Sequence, residues 1–210
     1  MRAHFVSLII ALVFFMPVAQ GAEYLRESIA KDYDENLEEM YLHFHRNPEL
    51  SNLESATAKR LAGEIRALGY EVTEGVGGTG IVAVLKNGPG PTVMIRADMD
   101  GLPVKEQSGL DYASVATQID EAGIEQPVMH ACGHDVHITA LVGTARQMAQ
   151  RSEDWSGTLV LIGQPAEERI SGARAMLDDG LYERFPKPDY ALAFHVSAGA
   201  PSGKVEVPLE

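Results

Sequence analysis

Thr92-Val93-Met94-Ile95-Arg96-Ala97-Asp98-Met99-Asp100-Gly101-Leu102-Pro103 is the stretch on which the fold of this chain turns. Its opening residues read as apolar on both faces of an extended strand. That is how a central strand covered by helices on either side looks. Two carboxylates, Asp98 and Asp100, follow at i and i+2 where the strand runs out. Open α/β sheets collect their ligands at the carboxyl ends of strands, so both can face one crevice. Taken alone, the same residues read as well as a polar loop stopped by Pro103.

Two further apolar strands end in chemistry. Thr158 to Gly163 runs into Gln164-Pro165-Ala166-Glu167-Glu168, and Tyr190 to Phe194 runs into His195-Val196. An α/β fold is therefore expected, its sheet mostly parallel and covered by helices on both faces. Between the first two strands lies Met129-His130-Ala131-Cys132-Gly133-His134-Asp135-Val136-His137, with three histidines, one carboxylate and the only cysteine of the chain. Cys132 and His134 form a Cys-x-His pair. Thiolate, imidazole and carboxylate are the ligand set of zinc and its first-row neighbours. A lone cysteine is otherwise a small buried hydrophobe. Asp135 places a carboxylate beside the imidazole of His134, as ligand-orienting groups are placed. No Cys-x-x-Cys spacing suggests a closed structural zinc site. Glu167 and Glu168 read either as an exposed pair at a helix N-terminus or as two carboxylates dividing labour, one on a metal and one on a water. Strand ends on one sheet edge should bring Asp98, Asp100, Glu167, Glu168 and His195 together with the cysteine loop.

The flanks supply the scaffold. Ile29, Tyr33, Leu37, Met40, Tyr41 and Phe44 recur at helical steps, so Tyr24 to Arg46 reads as one helix stopped by Asn47-Pro48. His43 and His45 near its end read as local hydrogen-bonding groups. Ser51-Asn52-Leu53-Glu54 has capping-box spacing and predicts a second helix to Leu68, closed by Gly69. Val76 to Gly80 lacks the lysine and the following hydroxyl of a phosphate loop and reads as a turn. Gly80 to Leu85 is a strand, and Asn87 to Gly90 predicts a hairpin-like turn into Thr92. Val104 to Gln126 is an irregular excursion. Helices are expected over Ile138 to Gln150 and Ser171 to Asp179, and a last strand from Gly203 to Val207.

With 210 residues, 45% apolar and 22% charged, the chain is of ordinary globular composition. Its net charge of -13 and lack of clustered Lys and Arg argue against nucleic acid or anionic membrane as partner. One cysteine excludes an internal disulfide. Met1 to His4 is a short basic start, Phe5 to Met16 is nearly all apolar, and Pro17 to Ala22 offers small residues. These are the three regions of a secretory signal peptide, expected to span residues 1–21 and to be cleaved after Gly21 or Ala22. The mature protein would then be periplasmic or secreted, without stable membrane insertion. An uncleaved anchor is the rival reading, disfavoured by the shortness of the apolar run.

Met129 to Asp135, Arg96 to Pro103, Gln164 to Glu168 and Phe194 to Val196, together with His43 to Ser51, resemble the amidohydrolase branch of the aminoacylase/carboxypeptidase metallopeptidase family. That branch includes hippurate hydrolases, N-acyl-amino-acid amidohydrolases and indole-acetyl-amino-acid hydrolases. The resemblance implies a zinc-exopeptidase-like catalytic domain and two divalent metal ions held by Cys132, His134, Glu168 and His195. Zinc or manganese is expected, with cobalt or nickel also compatible. It further implies Glu167 as general base and acid, with Asp98, Asp100, His130 and Asp135 in support. The implied substrate is an N-acyl amino acid of small-molecule size. A dipeptidase or carboxypeptidase of the same family, or an inactive metal-binding fragment, are the alternatives. Arg169-Ile170-Ser171-Gly172 stands where the branch usually has a run of glycines. Family members are about twice as long, so residues 22–210 are expected to be the N-terminal part of the catalytic domain. The lid and dimerisation domain, a late histidine ligand and any homodimer contact would lie outside them.

Overall fold

The computed structural model describes residues 18–207, so most of the expected signal segment lies outside the described residues. Among the described residues no helix is long and apolar enough to cross a membrane. The N-terminal helix is present but interrupted. Helix α1 (Val18–Asp32) passes through a π-helical turn (Tyr33–Leu37) into α2 (Glu38–Arg46). The wider turn shifts the apolar stripe. Leu37, Met40 and Phe44 are buried, while Ile29 and Tyr33 remain exposed.

Helix α3 (Ser55–Ala67) buries Ala58, Leu61, Ala62 and Ile65. Its start corrects the expected capping box. Glu54 is the N-cap residue but makes no side-chain cap bond. Ser51 and Glu54 instead hydrogen-bond to residues distant in sequence, described below.

The main sheet contains β1 (Glu71–Val76), β2 (Gly80–Asn87), β3 (Thr92–Asp98), β6 (Gly157–Gln164) and β7 (Tyr190–Ala193), in the order β1-β2-β6-β3-β7. Pairs β3/β6 and β3/β7 are parallel; β1/β2 and β2/β6 are antiparallel. The sheet is thus mixed, its parallel half carrying the three strand ends picked out above. Asn87 to Gly90 is not a hairpin turn, because β6 lies between β2 and β3. A tight turn fixes chain direction but not pairing, and β6, buried along nearly its whole length, takes the central place.

Alternation along the strands explains why they read as continuously apolar. Ile81, Ala83, Leu159 and Leu161 face one core with Leu61, Ile65, Ile138 and Leu141 of helices α3 and α4 (His134–Gln150). Val82, Val84, Val160 and Ile162 face a second core with Met176 of α5 (Gly172–Asp178) and Leu181 of α6 (Leu181–Arg184). Helices therefore cover both faces. Gly143 lets α4 approach the N-terminal run, since a Cβ there would lie 2.9 Å from Leu37 Cδ1. The excursion between β3 and α4 holds a small hairpin, β4 (Thr117–Ile119) and β5 (Glu125–Pro127). Residues 204–207 form no strand, contrary to expectation, and are exposed.

Candidate metal centre

In the parallel register Asp98 lies opposite Gln164, and the β3/β7 ladder ends at Arg96 and Ala193. The segments leaving β3, β6 and β7 therefore emerge at one edge. Helix α4 starts there too, four residues earlier than its apolar pattern predicts, so His134 and His137 sit on its first turn. Gly133, at φ 85°, makes the bend into it. That left-handed conformation suits glycine, and a Cβ would collide with Val196 Cγ2.

His134 is fully buried at the centre. Its Nδ1 lies 2.8 Å from the Asp100 carbonyl oxygen, so that nitrogen carries the proton and Nε2 presents a lone pair. Nε2 has no hydrogen-bond partner. Around it stand Asp98 Oδ1 at 3.6 Å, Glu167 Oε2 at 3.8 Å and Glu168 Oε1 at 3.9 Å. Glu168 Oε1 is likewise buried and unpartnered. Cys132 Sγ is 3.3 Å from His195 Nε2. Donor atoms of Cys132, His134 and His195 lie within 4.8 Å of one another, as do those of His134, Glu167 and Glu168, and of Asp98, His134 and His137. The predicted ligands and the predicted base are thus assembled around one imidazole.

The charges in this cluster are unbalanced. Burial pushes the Cys132 thiol up to about 11, with Glu168 and Glu167 adding to the rise. Burial alone would lower His134, but the Asp100 bond and the negative charges of Asp98, Asp100 and Glu168 outweigh it and raise the group. Burial would raise Asp98, yet the His137 hydrogen bond with His134 and Arg96 holds it at about 2. Crowded anionic donors and an unpartnered imidazole lone pair are the donor set that a divalent cation satisfies. The residues fit divalent metals.

Asp100 and the supporting groups are placed by tertiary contacts. The Asp100 carboxylate accepts the backbone N–H groups of Glu167 (3.1 Å) and Glu168 (3.0 Å) and the Ser51 hydroxyl (2.6 Å). Fully buried Glu54 accepts the Ala166 N–H (2.7 Å) and the Thr79 hydroxyl (2.6 Å). Ala166 has φ 46° and Ile170 φ 54°, so the turn carrying the glutamates uses left-handed backbone at two non-glycine residues. Asp135 turns away from His134. It meets His45 Nδ1 at 2.7 Å, while His45 Nε2 meets Glu106 at 3.2 Å. His45 therefore joins distant segments rather than serving its own helix end, whereas His43 stays exposed. His130 is buried 6.5 Å from His134, ring to ring, and burial pushes it down to about 4. Ser51, Glu54 and His137 are the residues that sequence reasoning missed. Only His137, one helical turn from His134, carried a local signal.

A family model described as peptidase family M20/M25/M40 matches residues 94–209. The chain is 42% identical over 165 residues to a hippurate hydrolase of Campylobacter jejuni, covering 78% of this chain and 40% of that protein. It is 42% identical over 163 residues to thermostable carboxypeptidase 2 of Saccharolobus solfataricus, covering 76% and 38%. The chain spans about two fifths of the length of these relatives. The structure is similar to that of YXEP of Bacillus subtilis, a dinuclear metal binding peptidase from the M20 family. That match has TM-score 0.71 and 33% identity, and covers 81% of this chain and 45% of that one.

Proposed function

The chain belongs to peptidase family M20/M25/M40, and on that premise we propose that the whole protein hydrolyses the amide bond of N-acyl amino acids. In this reading Cys132, His134, Glu168 and His195 hold a pair of divalent metals, zinc or manganese, with ligands from elsewhere in the full protein. The observation that carries it is the buried, unpartnered Nε2 of His134 ringed by carboxylates, with the cysteine and second histidine alongside. Metals bound there supply a polarised carbonyl and a water of lowered pKa.

Glu167 is the general base and acid. Its side chain is 38% exposed against 20% for Glu168, which leaves Glu167 free to face substrate and water while Glu168 turns inward. Its carboxylate takes the proton of the attacking water and returns it to the leaving amine nitrogen. Asp100 keeps the two roles apart by holding both backbone N–H groups. Replacing Glu167 with Ala in the full-length protein is expected to lower turnover by at least about 100-fold while metal content stays the same. Unchanged turnover refutes the role.

The similarity to a carboxypeptidase favours a second reading, cleavage of free peptides at the C-terminal residue. Assays with N-benzoyl and N-acetyl amino acids against free dipeptides separate the two. We further propose export of the protein by cleavage near Gly21, and a homodimer of the full-length form. A retained Met1 in the exported protein, or a monomer by sedimentation, would overturn these.

A further inference from the structure

His137 has no part in the reading above, yet it is fully buried within the site. Its two ring nitrogens have different partners. The Val196 N–H donates to Nε2 at 3.0 Å, so Nε2 must accept. Nδ1 therefore carries the proton and donates to Asp98 Oδ1 at 2.6 Å. The ring bridges the end of β3 and the segment that follows β7.

That segment needs such a bridge. Among the described residues β7 is an outer strand whose ladder stops at Ala193, and no sheet bond reaches His195. The His195 ring is oriented instead by the next peptide, its Nδ1–H donating to the Val196 carbonyl at 2.6 Å. This leaves Nε2 with its lone pair directed at Cys132 Sγ. The same residue, Val196, is held at its N–H, in the preceding peptide unit, by His137. Its side chain packs on the loop carrying Cys132, where Gly133 leaves room for it. The rings of His137 and His195 lie 4.6 Å apart at 67°, and Phe194 meets His137 edge-on at 5.4 Å.

We propose that His137 is a positioning residue: by accepting the Val196 N–H it anchors the residue whose carbonyl sets His195 facing Cys132. The proposal rests on the metal reading of His195 and Cys132. Groups that orient a metal-ligating histidine typically change metal affinity by about 10- to 100-fold when removed.

The test is a titration of the metal-free, full-length protein with Co2+, followed by its visible absorption and its thiolate-to-cobalt band. His137→Gln places an oxygen where Nε2 was and can still accept the Val196 N–H. His137→Asn keeps a donor near Asp98 and loses the acceptor. Affinity within about threefold of wild type for Gln, with roughly 10- to 100-fold loss for Asn and Ala, is the expected result. Retention by Asn and loss by Gln would mean that the Asp98 bond is what counts, and would overturn the proposal. Equal loss in all three, or no loss in any, would overturn it as well. Should the His137 variants fail to fold, Val196→Pro removes the N–H and leaves the imidazole in place. It must then show the same loss, and wild-type affinity would defeat the idea. A wild-type protein that binds no Co2+ at all would instead sink the metal reading itself, before any variant is compared.

Discussion

Among the described residues, strand β6 lies between two neighbours and is buried from Leu159 to Gln164, whereas β7 has one neighbour and every residue of it is exposed. Both deliver side chains to the same centre. The turn after β6 is braced by two buried carboxylates, Asp100 and Glu54, which accept the N–H groups of Ala166, Glu167 and Glu168. The segment after β7 is joined to the site through the Val196 peptide and His137. A turn enclosed by the core can afford strained backbone because buried hydrogen bonds over-determine it. Among the described residues β7 has no such enclosure, and a helix side chain holds the segment that follows it.

The contrast predicts where stability resides. Asp100→Ala should have the largest effect, roughly 3–5 kcal/mol, because two backbone donors and a hydroxyl lose their acceptor together. Urea unfolding of the full-length protein would measure it, and a loss below that of the β7 variant given last would reverse the comparison.

Glu54→Ala comes next, at about 1–3 kcal/mol, since the Ala166 N–H is left unpaired. Glu54→Gln sharpens the point through pH. Burial raises the Glu54 carboxyl above its ordinary 4.5, against the pull of its Thr79 and Ala166 bonds. The folded state therefore holds this proton more tightly than the unfolded state does. The contribution is fully present below 4.5 and is lost as pH rises through the higher folded value. The stability difference between wild type and Glu54→Gln should be flat below 4.5 and move in favour of Gln above it. A difference that does not change with pH would show the carboxyl to be unperturbed.

Ile170→Gly should act in the opposite direction. Ile170 is β-branched, 94% exposed and at φ 54°, a conformation that costs an L-residue about 1–2 kcal/mol. Relief of that strain should raise the unfolding midpoint, offset in part by the greater freedom of glycine in the unfolded chain. A lowered midpoint would mean that the isoleucine contributes contacts its exposure hides. The smallest effect belongs to the start of β7. Asp189→Ala removes an exposed bond from the Thr92 N–H to Asp189 Oδ2 and should cost about 0.5–1.5 kcal/mol.

Local pattern carried much of this in the sequence. Three apolar strands ending in polar residues, a cysteine–histidine loop opening a helix and a run of helical periodicity are all short-range signals. They survive because each is written within one short run of residues. The polar residues that were misread have a common cause. Ser51 and Glu54 match a capping box, which is a sufficient local use for both, yet Ser51 serves Asp100 and Glu54 serves Ala166. His45 sits where a helix end would use it, yet it links Asp135 to Glu106. Each is a polar side chain with a partner at least 49 residues away, and no period or spacing encodes that.

By itself, the sequence determined that this is an α/β protein with carboxylate and imidazole groups at strand ends and a thiol on a loop opening a helix, because hydrophobic period and residue chemistry are written locally. Only the tertiary structure decided which strands pair, that β6 separates β2 from β3, and which buried groups brace the donors. Those outcomes depend on how helices and strands pack over one another. They are settled by which arrangement leaves the fewest buried polar groups without a partner.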